Sequence, residues 1–163
     1  MLPTPNRVTL VAGAAKGQHK LTAFDGALLE AGIGNLNLLR VSSILPPGCR
    51  YVEFQRQEPG GQIDIPAGSL VPTAYGTICS DQAGETIAAA VAIGFSRDDF
   101  GVIMEFSGAV TAAEARTRVE DMVREAFVMR NMELHDLKAA AAEITVPEDA
   151  AGAAVAAAVL WYL

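Results

Sequence analysis

Hydrophobic and polar positions along the chain recur with two different periods. Residues 7–12, Arg-Val-Thr-Leu-Val-Ala, are rich in β-branched side chains and predict a strand, followed by a loop from Gly13 to Gly17. From His19 to Ala31 the apolar set Leu21, Phe24, Leu28 and Leu29 recurs at helical spacing, and Gly32 supplies a stop. Asp25 lies beside that apolar face. From Leu36 to Ser43 the positions alternate as in a strand, and Pro46-Pro47-Gly48 forbids its continuation. Turns at Gly60-Gly61 and Pro66-Ala67-Gly68 leave Tyr51 to Leu70 as strand fragments and loop. Val71 to Ser80 and Gly101 to Ser107 read as strands, the latter with Glu105 near its end.

The strongest helix runs from Thr111 to Arg130. Thr111-Ala112-Ala113-Glu114 is a capping box, in which the threonine oxygen accepts the N3 amide and Glu114 reaches back to the cap. Ala115, Val119, Met122, Val123, Ala126 and Phe127 share one face. Glu114 with Arg118, and Glu120 with Arg124, are spaced as i,i+4 pairs on the other. Three alanine-rich segments, 85–95, 137–146 and 151–163, stay ambiguous. Alanine favours helix, whereas short apolar runs between Gly and Pro also suit a buried strand.

Composition explains the ambiguity. Of 163 residues, 51% are hydrophobic but only 6% aromatic, and 29 are alanine. Such a length suits one domain, residues 1–163, with a proper core. The net charge of −7 argues against a chain-wide basic footprint for nucleic acid or an anionic membrane and is compatible with a cationic ligand. The first residues lack a basic stretch followed by a long apolar run, so no secretory signal is expected. The apolar run 150–163 is shorter than the ~20 residues a spanning helix needs. Two isolated cysteines, Cys49 and Cys79, form neither a metal pattern nor a disulfide framework and suit reduced thiols in the cytoplasm.

Common catalytic patterns are missing. His19 and His135 have no companions at ligand spacing, so no metal site is indicated. There is no P-loop and no G-x-S-x-G elbow. Gly32-Ile33-Gly34-Asn35 lacks the third glycine of a dinucleotide fingerprint and precedes a strand pattern. What stands out is Ser42-Ser43 at the end of an apolar strand, halted by Ile44-Leu45-Pro46-Pro47-Gly48.

That segment has a wider context. Ala23-Phe24-Asp25-Gly26-Ala27-Leu28-Leu29, then Ala31-Gly32-Ile33-Gly34-Asn35-Leu36-Asn37-Leu38, then Val41-Ser42-Ser43-Ile44-Leu45-Pro46-Pro47-Gly48 resembles the pyruvoyl-dependent arginine decarboxylase family. Gly101-Val102-Ile103-Met104-Glu105-Phe106-Ser107-Gly108 is similar to its second signature. The resemblance covers nearly the whole chain in length and order.

The resemblance implies a proenzyme that cuts itself between Ser42 and Ser43, giving a β chain 1–42 and an α chain 43–163. Ser43 would become a covalent pyruvoyl group, with no metal and no pyridoxal phosphate. This group would form a Schiff base with L-arginine and pass electrons into the imine and adjacent amide carbonyl as CO2 leaves, yielding agmatine. Glu105 matches the acid that returns a proton to Cα. Asn37 matches a position near the cut bond, where its amide could serve as a donor, and Ser42 would remain by the pocket as a chain end. Asp25 matches the partner of the substrate guanidinium. Leu21, Gly34, Leu36 and Ile44 match pocket-lining positions. The implied fold is α/β (α+β), a four-layer αββα sandwich assembled as trimers or a dimer of trimers, which turns the three ambiguous segments into strands. A related decarboxylase of another amino acid and an unprocessed, non-enzymatic oligomeric homologue are the competing readings. Agmatine could feed polyamine synthesis, or proton consumption could support acid resistance.

Overall fold

A computed structural model of the chain describes residues 2–54 and 63–162. The described elements run β1 (Arg7–Gly17), α1 (Lys20–Glu30), β2 (Asn37–Arg40), β3 (Ile44–Leu45), β4 (Arg50–Tyr51), β5 (Leu70–Ser80), β6 (Thr86–Phe95), β7 (Gly101–Gly108), α2 (Ala112–Met129), β8 (Asp136–Thr145) and β9 (Ala151–Trp161). The strands form two sheets, one in the order β2-β5-β9-β1-β4 and the other β3-β7-β6-β8. Helix α1 covers the outer face of the first sheet and α2 that of the second, giving an αββα sandwich. The expected Gly60-Gly61 turn lies outside the described residues.

Three cores separate the four layers. Ala153, Val155, Ala157 and Val159 of β9 face α1 with Ala23, Ala27 and Leu28. Their neighbours Ala154, Ala156, Ala158 and Leu160 face the second sheet, meeting Ala89, Val91, Ile93 and Ile103. Ala88, Ala90 and Ala92 turn the other way, toward Val119, Val123 and Phe127 of α2. A central strand covered on both faces has no polar side to show, so its sequence reads as a continuous apolar run. β9 pairs along its length with both β1 and β5, and this pairing overrides the helix propensity of its alanines.

β1 continues through Gly17, where a loop was expected from Gly13. Every residue from Arg7 to Gly17 pairs with β9, ending at Gly17 opposite Ala151. The glycines serve helix packing. A Cβ on Gly13 would lie 2.5 Å from the Ala27 carbonyl oxygen, and one on Gly17 would lie 2.5 Å from the Ala23 nitrogen. Helix α1 therefore rests almost directly on the β1 backbone.

The same close approach corrects the expected face of α1. Ala23, Ala27 and Leu28 are buried and Phe24 is partly so, whereas Leu21 is 75% exposed and Leu29 is also exposed. Leu28 and Phe24 of the expected set do face the sheet, joined there by Ala23 and Ala27, whereas Leu21 and Leu29 do not. His19 occupies the N-cap, and Gly32, with φ of 82°, follows the C-cap Ala31. In α2 the Thr111–Glu114 capping box forms as expected, and the expected face is buried except for Met122, which is half-buried. Glu114 places its carboxylate on the cap, while Arg118 lies 4.8 Å from the Phe106 ring centre. Arg116 is the nearer partner of Glu120 at 3.1 Å, with Arg124 at 4.0 Å. Among the described residues no helix is long and apolar enough to cross a membrane.

Candidate active site

The expected strand over 36–43 is shorter, Asn37–Arg40, because the chain changes sheets. β2 is the edge of the first sheet, parallel to β5 with Arg40 opposite Thr73. Val41 still donates to the Thr73 carbonyl at 3.2 Å. β3 is the edge of the second sheet, antiparallel to β7 with Ile44 opposite Val102. Only Val41, Ser42 and Ser43 lie between these strands, so the Ser42–Ser43 peptide bond is part of the crossover from one sheet to the other. Ser42 is exposed and Ser43 half-buried. The Ser43 carbonyl is held from the other sheet: it accepts the Ile103 backbone N–H at 2.7 Å.

Two residues beyond Ile103 on β7 stands Glu105. Alternation along a strand puts it on the same face as Ile103, toward the gap between the sheets. Its Oε2 is buried and has no hydrogen-bond partner among the described residues. Burial raises the pKa of this carboxyl, and the positive charge of Arg40 works against that rise. Arg40 itself lies over the Tyr75 ring, 4.1 Å from its centre. Opposite Glu105 on β5 is Gly76, where a Cβ would lie 3.4 Å from Glu105 Cβ and 3.2 Å from the Phe106 carbonyl oxygen. Ser107 Oγ donates to the Thr77 carbonyl at 3.0 Å, joining the two sheets beside this point.

The chain thus brings Ser42, Ser43 and Ile44 to the edge where β2 passes into β3, with β7 and its Glu105 alongside. The other expected residues stand elsewhere. Leu21 and Asp25 are exposed on α1, which covers the outer face of the first sheet. No ion pair occupies Asp25 among the described residues. Gly34 packs against Leu29, with its Cβ position 2.8 Å from the Leu29 nitrogen, and Leu36 packs on the α1 core. Asn37 is at the opposite end of β2 from Ser42, and its Nδ2 donates to the Gly68 carbonyl at 2.9 Å. Within one chain its amide is therefore engaged away from the Ser42–Ser43 bond.

Comparison with known proteins decides the family. The family model described as pyruvoyl-dependent arginine decarboxylase matches residues 7–162. The chain belongs to this family. A pyruvoyl-dependent arginine decarboxylase of Methanocaldococcus jannaschii is 47% identical over 160 residues, covering 97% of this chain and 91% of that protein. One from Thermococcus sibiricus is 46% identical over 158 residues, covering 96% of each. One from Thermococcus kodakarensis is 43% identical over 159 residues, covering 97% of this chain and 96% of its own.

Enzymes of this pyruvoyl-dependent family use a covalent cofactor, and among the described residues of this chain no group of three or more His, Cys, Asp or Glu could hold a metal. Burial also raises the thiol pKa of Cys49, to about 11, which keeps it protonated at neutral pH. Sequence reasoning passed over Arg40, Tyr75, Gly76 and the Ile103 N–H. Of these only Gly76 carried a local signal, since an isolated glycine inside a strand pattern marks a close backbone approach. The others become visible only when the two sheets are stacked.

Proposed function

We propose that this chain is a self-processing decarboxylase that converts L-arginine to agmatine and CO2 with a pyruvoyl group made from Ser43. The observation that carries the reading is the position of the Ser42–Ser43 bond. It lies in the crossover between sheets, with residue 43 held by β7, the strand that also carries a buried, unpartnered carboxyl oxygen on Glu105.

Processing uses the chain's own atoms. Ser43 Oγ attacks the Ser42 carbonyl carbon and gives up its proton, and the amide nitrogen leaves as the free amine, so an ester replaces the peptide bond. Loss of the residue 43 Cα proton then expels the Ser42 carboxylate from Cβ. The resulting dehydroalanine tautomerises to an imine, takes up water and releases ammonia, leaving the ketone. The products are residues 1–42 and 43–163. The Ser43 carbonyl hydrogen bond to Ile103 restricts the attacking residue while exposed Ser42 keeps freedom to move.

The pyruvoyl group supplies a ketone that takes the substrate amine and accepts the electron pair released with CO2. Glu105 holds the proton delivered to Cα, and its partial burial keeps that proton bound at a higher pH than an ordinary glutamate would. Asp25, exposed and without an ion pair among the described residues, pairs with the guanidinium. Leu21, Gly34, Leu36 and Ile44 line the path of the substrate stem, and Asn37 and Ser42 complete the polar rim. Asp25, Leu21, Gly34, Leu36 and Asn37 lie apart from Ser42, Ser43, Ile44 and Glu105 in one chain, so the complete site forms between copies, in a trimer or a dimer of trimers. The exposed apolar side chains Leu21, Leu39, Leu70 and Ile44 supply contact surface for that assembly. The enzyme works in the cytoplasm.

The intact mass of the purified protein, before and after carbonyl trapping with a hydrazine, tests the reading. Two chains divided after Ser42, the larger one reactive, are expected. Ser43→Ala should give one uncut chain without carbonyl reactivity or activity. A wild-type chain that stays whole and unreactive, or an active Ser43→Ala, refutes the mechanism.

A further inference from the structure

β7 carries both the Glu105 carboxyl and the Ile103 backbone N–H, and in decarboxylation only Glu105 has so far been given a task. The other is the Ile103 backbone N–H, which donates to the Ser43 carbonyl oxygen at 2.7 Å. That is the short end of the usual N–H···O range. Ile103 is fully buried, and the bond leads directly into the two-residue pairing of β3 with β7.

We propose that the Ile103 N–H is a catalytic hydrogen-bond donor to the carbonyl of residue 43 during decarboxylation. This inference rests on the reading that residue 43 becomes the pyruvoyl group. The carbonyl in question then belongs to the amide conjugated with the reactive carbon. As the bond to CO2 breaks, its electron pair is shared with that carbonyl oxygen, and it returns when Cα takes up a proton. A fixed donor aimed at an oxygen that gains charge lowers the barrier, because it requires no reorganisation during the reaction. β7 thus carries both ends of the proton and electron traffic, with the Ile103 amide at the oxygen and the Glu105 carboxyl two residues on.

The position in the sheet makes the group addressable. β7 lies between β3 and β6, and successive N–H groups of a strand point to opposite neighbours. The Ile103 N–H points to the β3 side, and that of Met104 points toward β6.

Replacing the 103 amide by an ester, with the α-hydroxy acid analogue of isoleucine, removes the donor and keeps the side chain. The same change at Met104 is the control, losing a ladder bond toward β6 without touching residue 43. Mass and carbonyl trapping establish first that each protein carries its pyruvoyl group. In the 103 ester, kcat should fall about 10- to 100-fold, less than for loss of a donor to a full oxyanion, because the charge is shared. KM should stay within about twofold, and the 13C isotope effect on released CO2 should rise. The 104 ester should lose stability but keep its kcat and isotope effect. A processed 103 ester with wild-type kcat overturns the proposal. If that ester blocks processing, the wild type decides. A scalar coupling between 15N of Ile103 and the 13C carbonyl of residue 43 is expected in the processed enzyme, and its absence overturns the proposal. Failure of the underlying reading looks different, since wild-type protein would then contain no carbonyl to trap.

Discussion

Gly76 of β5 faces Glu105 of β7 across the gap between the two sheets, with 3.4 Å between the Glu105 Cβ and the place a Gly76 Cβ would occupy. Adding that methyl forces β7 to shift by a few tenths of an ångström, because the Phe106 carbonyl oxygen is only 3.2 Å away. Gly76→Ala should cost about 1–3 kcal/mol of stability, as overpacking does. It should also lower kcat about tenfold in processed enzyme, because small misplacements of a reacting group are costly. Urea unfolding and steady-state kinetics of the same preparation check both effects. Full activity in Gly76→Ala would show that Glu105 tolerates displacement.

Glu105→Gln should abolish proton delivery, with kcat falling at least about 100-fold. The activity that needs protonated Glu105 persists below its raised pKa and is lost as pH rises through it. Arg40 holds this pKa down, so Arg40→Met should move the alkaline limb of the kcat profile to higher pH. A limb that stays in place would remove Arg40 from the electrostatics of the site.

Stability follows the same linkage. The folded-state pKa of Glu105 lies above its unfolded value, so the folded state binds the proton more tightly. The stabilisation from that proton is present at acid pH, below the unfolded pKa, and is lost as pH rises through the folded one. The melting temperature of Glu105→Gln relative to wild type should therefore increase between acid and neutral pH. A difference that is flat across this range would mean that the carboxyl is better solvated than its buried Oε2 indicates.

Asp25→Ala should reduce kcat/KM for arginine about 10- to 150-fold, the equivalent of about 1.5–3 kcal/mol for a hydrogen bond to a charged group. Processing should be unaffected, because Asp25 lies on the exposed face of α1 and away from the Ser42–Ser43 crossover. Rates with arginine, lysine and ornithine measure the selectivity. Unchanged arginine use would exclude the guanidinium pairing.

Gly13→Ala tests the seating of α1. A Cβ there would meet the Ala27 carbonyl oxygen at 2.5 Å and the Ala31 nitrogen at 2.6 Å, both backbone atoms. The helix must lift, and a loss of about 2–3 kcal/mol in chemical unfolding is expected. A neutral substitution would mean that α1 can slide on β1 at little cost.

These residues mark the boundary between what the sequence could and could not say. The helix over Ala112–Met129 was readable because its cap and its 3.6-residue period are local features. Ser42-Ser43, Asp25 and Glu105 are singled out by the motifs around them. The expected loop at Gly13–Gly17 was misread because glycine's usual local meaning is a turn, whereas here it makes room for another element's backbone. β6, β8 and β9 were undecidable from the residues alone, because alanine fits a helix and a doubly covered strand equally well. Their strand state is enforced by neighbours distant in sequence. The sequence by itself determined the chemical groups and the order in which they come. Only the tertiary structure decided that the Ser42–Ser43 bond bridges two sheets, that one carboxyl oxygen of Glu105 is buried, and that an Ile103 amide meets residue 43. The physical reason is that desolvation and backbone hydrogen bonding across sheets depend on which distant segments stack, and no local pattern encodes that.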